Sequence, residues 1–105
     1  MKIPKRINIC GKTFTVTTDK TTDGASGDAG KLTIIIGTFT PGDVAENLIH
    51  EVGELIMAIR DFRYAPEKEE LENADYRFLL SHADWQLFCK DMSIAMRGIK
   101  FPPEI

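Results

Sequence analysis

No stretch of this 105-residue chain approaches the roughly 18 consecutive apolar residues that cross a bilayer, so a membrane-spanning helix is not expected. The opening MKIPKRINICGK has no apolar core of a secretory signal, and the chain reads as cytoplasmic. Cysteine is scarce. Cys10 and Cys89 are far apart and form no CxxC pair, which argues against a thiolate zinc site or a redox dithiol. Both are expected to act as small apolar core residues. Positive charge is also in deficit, with 13 Lys and Arg against 16 Asp and Glu and a net charge of −3. Lys2, Lys5 and Arg6 make the one tight basic cluster, which reads as a solvated edge, so neither nucleic acid nor an acidic membrane surface is an expected partner. What remains is ordinary globular material, 43% hydrophobic and 28% charged, enough for one domain over 1–105.

Residues 5–18, KRINICGKTFTVTT, place Ile7 and Ile9 before Gly11 and Phe14 and Val16 after it, the alternation of a β-hairpin. The stretch from Asp19 to Gly30 is built of turn formers and small polar residues and reads as a mobile surface loop. Leu32 to Ile36 then forms a third strand, β-branched and expected to be buried on part of both faces. A helix should open at Thr40-Pro41-Gly42-Asp43, with Thr40 as its hydroxyl cap, and run to about Arg60. Ala45, Leu48, Val52, Leu55, Ile56 and Ile59 make its apolar stripe, while His50, Glu54, Met57 and Asp61 fall on the opposite side. Gly53 interrupts it at a cost of about 1 kcal/mol.

Residues 61–75 are dominated by charge and read as a solvated excursion. Tyr76 to Leu80 is a short apolar run, read as strand. A second helix follows, announced by the capping box Ser81-x-x-Asp84 and stopped by Gly98, Pro102 and Pro103. Trp85, Phe88, Cys89, Met92, Ala95, Met96 and Ile99 are its expected buried side. The fold class is α+β: a small sheet of three strands, possibly four, antiparallel or mixed, packed against a long helix and a second C-terminal helix.

Two histidines carry the chemistry. His50 and Glu54 stand at i and i+4, on one side of a helix and about 6 Å apart at Cβ, close enough to share a metal ion. Glu51 is turned about 100° from His50, placed to hold a water rather than to ligate. Imidazole and carboxylate ligands with a free carboxylate beside them are what a hydrolytic zinc site uses. A catalytic zinc takes three protein ligands, and His82, at the start of the second helix, is the remaining histidine. It reaches the pair if the two helices cross near residues 50–54, and Gly53 would then let another backbone approach. An exposed His–Glu pair is otherwise an ordinary helix-surface interaction of about 0.3 kcal/mol. With two histidines and eight glutamates among 105 residues, chance puts Glu at both +1 and +4 of a histidine in about 1% of such chains.

The stretches KRINICGKTFTV, KLTIIIGTFTP and NLIHEVGELIMAI resemble, in that order, the minimal zincin-like metallopeptidases, short proteins common in phages and prophages. The likeness covers roughly residues 2–60, and LLSHADWQLFCKDMSIAM resembles the family's final helix. The resemblance implies that His50, Glu54 and His82 are zinc ligands and that Glu51 is the general acid/base. Glu54 replaces the second histidine of the common HExxH pattern, and its charge makes metal-bound water less acidic. The function implied is a zinc-dependent hydrolase acting on a peptide or protein, with the third strand, if an open edge, pairing with extended substrate. The alternative is a zincin-like protein without catalysis, acting as a metal-stabilised interaction module. No oxyanion donor is evident, since Tyr76 and Arg77 near His82 read as a core tyrosine and a surface arginine. Oligomeric state is left open by the sequence.

Overall fold

The computed structural model describes residues 3–64, 77–97 and 99. Among these residues it is an α+β fold: a four-stranded mixed sheet with two helices packed against it. β1 (Arg6–Ile9) and β2 (Lys12–Asp19) form the antiparallel hairpin that the alternation predicts. Its two-residue turn has Cys10 at φ 52° and Gly11 at φ 81°, the doubly left-handed geometry that matches strand twist. The chain then adds β3 (Ala25–Asp28) and β4 (Thr33–Gly37), giving the order β1-β2-β4-β3. β4 runs parallel to β2, Val16 opposite Ile34, and antiparallel to β3, Gly27 opposite Ile34.

Two expectations change here. The stretch read as a mobile loop contains β3, and the third predicted strand lies inside the sheet with β3 as its outer edge. Sequence pattern misses β3 because Ala-Ser-Gly-Asp has no β-branched residue and no alternation, so backbone pairing alone makes it a strand. β4 is also buried on one face only, with Ile34 and Ile36 fully covered and Ile35 45% exposed.

The chain enters its first helix through a single 3-10 turn at Pro41–Asp43, and α1 spans Val44–Ile59. Thr40 does not cap it. Its amide and hydroxyl instead donate to the Asp23 carboxylate at 2.8 and 2.9 Å, pinning the loop after β2 to the helix entrance. α1 buries Val44, Leu48, Val52, Leu55 and Ile56, which with Ile7, Ile9, Phe14, Val16, Ile34 and Ile36 from the sheet form the core, while Met57 is buried beside Phe88 and Met92. Each large side chain fully covered there stabilises by roughly 1.5–3 kcal/mol.

β5 (Arg63–Tyr64) pairs with β6 (Arg77–Phe78) in a separate two-stranded ribbon, so the expected strand survives as two residues and the excursion begins with another. Most of the acidic excursion, Tyr76, and Gly98, Pro102 and Pro103, read as the stop of the second helix, lie outside the described residues. α2 spans His82–Ala95 and starts with the capping box as read: the Ser81 hydroxyl accepts from the Asp84 amide and the Asp84 carboxylate accepts from the Ser81 amide. Phe88, Met92, Ala95, Met96 and Ile99 meet the core, whereas Trp85 and Cys89 are exposed, a correction to the predicted stripe. Steps of three and four from Trp85 through Phe88, Met92 and Ala95 to Ile99 follow one line, but Trp85 lies in the first turn, where it stacks on Phe88 and stays half exposed, and Cys89 falls to one side of the line.

One buried polar group ties the layers together. Asp91 of α2, 5% exposed, accepts from Arg60 Nε at 3.0 Å and Nη2 at 3.2 Å, and from the Cys10 thiol at 3.5 Å. This fork joins the end of α1, the middle of α2 and the β1–β2 turn. Burial, and then the Asp91 charge, push the Cys10 thiol above its ordinary pKa, with Arg60 opposing in part. No helix among the described residues is long and apolar enough to cross a membrane.

Candidate functional site

All three residues of the His50-Glu51-x-x-Glu54 motif lie in the middle of α1, His50 exposed and Glu51 and Glu54 partly buried. His50 Nε2 lies 3.9 Å from Glu54 Oε1, with the side chains 69% and 27% exposed. The helix brings these two donors together because residues four apart stack one turn above the other.

Glu51 leaves the helix in a different direction, toward the edge strand. A Cβ built on Gly27 would stand 2.7 Å from Glu51 Oε1 and 2.8 Å from Leu55 Cδ1, so α1 lies directly over that glycine. Burial raises the proton affinity of Glu51 above the ordinary glutamate value, and the neighbouring Glu54 charge adds to it. His50 and a hydrogen bond from the Gly27 amide oppose the rise in part. Glu51, Glu54, Gly27, Asp28 and Ala29 line a cleft of about 360 Å³ between helix and edge strand. The glycine that makes room for Glu51 escaped sequence reasoning. Its one signal is a run of small residues, Ala25-Ser26-Gly27, which suits a strand passing under a helix.

On the other side of Glu54 a second groove, about 410 Å³, opens between α1 and α2, with Ile49, His50, Gly53, Met57, Phe88 and Met92 among its walls. Gly53 does not serve a close backbone approach. A Cβ there would meet the Met92 Cε at 3.6 Å and the Phe88 Cζ at 3.7 Å, ordinary contacts with side chains. The two helices are therefore held apart by a phenylalanine and a methionine.

His82 is the first residue of α2, exposed and positioned by the capping box. Among the described residues no three His, Cys, Asp or Glu side chains are grouped to hold a metal ion, so His82 is not gathered with His50 and Glu54. Imidazole and carboxylate one turn apart are donor types that zinc takes, and the pair is one short of the three protein ligands of a catalytic zinc among the described residues. Tyr76 and the Arg77 side chain, weighed as oxyanion donors, lie outside what is described.

No protein-family model, curated protein or solved structure matches the chain. The zincin-like resemblance accordingly rests on the chain's own motifs.

Proposed function

We propose that this chain is a small zincin-like hydrolase in which His50 and Glu54 contribute to a zinc site and Glu51 is the general acid/base. One observation supports it above others: a single helix separates a donor pair from a half-buried carboxylate of raised proton affinity, one residue away. His82 is the proposed third ligand, from the resemblance. A zinc ion bound there would supply polarisation of a carbonyl and of a water molecule.

The protein's own share is proton handling. A carboxyl group whose pKa moves up toward the working pH both takes and returns a proton more readily than an ordinary glutamate. The Gly27 amide aims the Glu51 carboxylate, and Leu55, 4% exposed, keeps water from one side of it. The strand edge offered to an extended peptide or protein substrate is β3, which borders the Glu51 cleft. The reading includes a cytoplasmic setting, in which Cys10 and Cys89 stay reduced.

A second reading, a zincin-like interaction module without catalysis, is favoured by the exposed Ile49, Phe78 and Trp85 around the groove between the helices. The two are separated by digesting a peptide library with the zinc-supplemented full chain and with Glu51→Gln. Cleavage by the full chain that the variant loses supports the hydrolase. Equal cleavage by both removes Glu51 from its role, and none by either leaves the module.

A further inference from the structure

The pairing of β3 fixes which way its backbone faces. The Gly37 amide donates to the Gly24 carbonyl at 2.7 Å, and the register continues with Ser26 opposite Ile35 and Asp28 opposite Thr33. In an antiparallel ladder alternate residues bond to the neighbouring strand, so Gly24, Ser26 and Asp28 turn their backbone groups toward β4. Ala25 and Gly27 turn theirs away, to the free edge of the sheet. One of these four groups is taken: the Gly27 amide donates to the Glu51 carboxylate, which reaches it from α1. The other three have no hydrogen bond among the described residues.

A carboxylate oxygen on that amide stands where a docked strand would place a backbone carbonyl. Two residues at i and i+2, each with an outward N–H and C=O, match the repeat of an extended polypeptide. The cleft of about 360 Å³ beside Gly27 gives one of its side chains room. A second copy suits the edge less well. Pairing β3 with β3 would gather the Asp28 and Glu51 carboxylates of both chains along one seam, like charges that oppose pairing.

We infer that Glu51 is a latch on the β3 edge: an extended peptide strand pairs with Ala25 and Gly27 only by taking the Gly27 N–H from the Glu51 carboxylate, which its arrival sets free. The exchange needs neither zinc nor cleavage, whereas the freed carboxylate's part as a base rests on the hydrolase reading. On that reading the contact that aims Glu51 in the resting chain is the one that substrate breaks. The base is tied to the protein's own backbone until a peptide lies along the edge.

The test follows the Gly27 amide by NMR in the metal-free full chain, isotope-labelled at glycine, during titration with an acetylated, amidated peptide of alternating threonine and valine. The expected result is a saturable shift of the Gly27 signal. Hydrogen bonds to a charged acceptor are roughly twice as strong as neutral ones, so removing this competitor should register in the affinity. Glu51→Ala should bind the peptide about tenfold tighter, a gain near 1.4 kcal/mol. Glu51→Asp keeps the charge but is one methylene short of the amide, and it should also bind severalfold tighter. A damaged fold would weaken binding instead. N-methylation of the peptide residues that face β3 should abolish binding in all three proteins. The inference is overturned by the absence of a saturable Gly27 shift, by either variant binding no tighter than the parent, or by equal binding of the N-methylated peptide. A Gly27 shift in Glu51→Ala that grows with protein concentration and no peptide would also overturn it, placing a second copy on the edge. Equal affinities would leave the hydrolase reading standing, and a peptide library left uncleaved would leave the latch standing, so the two fail separately.

Discussion

Replacing Gly27 with alanine adds one methyl group at the point where α1 crosses the edge strand. That methyl would stand 2.7 Å from the Glu51 carboxylate and 2.8 Å from Leu55 Cδ1, both closer than carbon atoms tolerate. The two neighbours respond differently. Leu55 is 4% exposed and held by the core, while the Glu51 carboxylate ends a flexible side chain and can swing toward water at the loss of its Gly27 hydrogen bond. Overpacking of this kind costs about 1–3 kcal/mol, and alanine recovers about 0.4–1 kcal/mol by restricting the unfolded chain. With the overpacking cost at its middle value of about 2 kcal/mol, the net loss is about 1–1.6 kcal/mol, against a total stability of order 5–15 kcal/mol. Urea unfolding measures it, and a double-mutant cycle with Leu55→Ala assigns it: removing the leucine methyls should make the same glycine change cheaper by about 1 kcal/mol. A loss below about 0.5 kcal/mol, or the same loss in both backgrounds, would refute the packing argument. The site should register the change as well. Glu51 pushed into water loses the burial that raises its proton affinity, so the acid limb of any Glu51-dependent hydrolysis should move to lower pH.

Other perturbations follow from the same contacts. Glu51 has a raised pKa in the folded state, so the fold binds its proton more tightly than the unfolded chain, and stability falls as pH rises through the usual carboxyl range. Glu51→Gln should remove that loss: urea midpoints should show the variant more stable than the parent at pH 7, with the advantage gone near pH 3. Arg60→Ala strips the partner from Asp91, which is 5% exposed. Breaking a buried pair costs roughly 3–5 kcal/mol, but the Arg60 side chain is 36% exposed, which reduces the expected loss to about 2–3 kcal/mol. Arg60→Met with Asp91→Leu should restore most of it by thermal melting; no recovery would mean that Asp91 matters for more than its pairing with Arg60.

The elements legible in the sequence are those whose local pattern and tertiary role agree. Ile7, Ile9, Phe14 and Val16 alternate because one face of the hairpin is buried, and the Ser81–Asp84 box marks a helix start by its own hydrogen bonds. β3 was illegible for the opposite reason. Gly27 is there to let α1 pass over it, a requirement set by Glu51 and Leu55, more than twenty residues later in the chain. The same division runs through the site. His50 and Glu54 face one another by helix periodicity alone, whereas a third donor depends on how α1 and α2 cross, which no local rule specifies. Phe88 and Met92 set that spacing, and neither stood out as anything but core.

The zinc content of the full-length protein, purified without added metal and compared with His50→Ala, bears most directly on the proposed hydrolase. The account predicts one zinc ion per chain in the parent and little or none in the variant, with the fold intact by circular dichroism because His50 is exposed. A parent free of zinc, or a variant that retains the full complement, would contradict it.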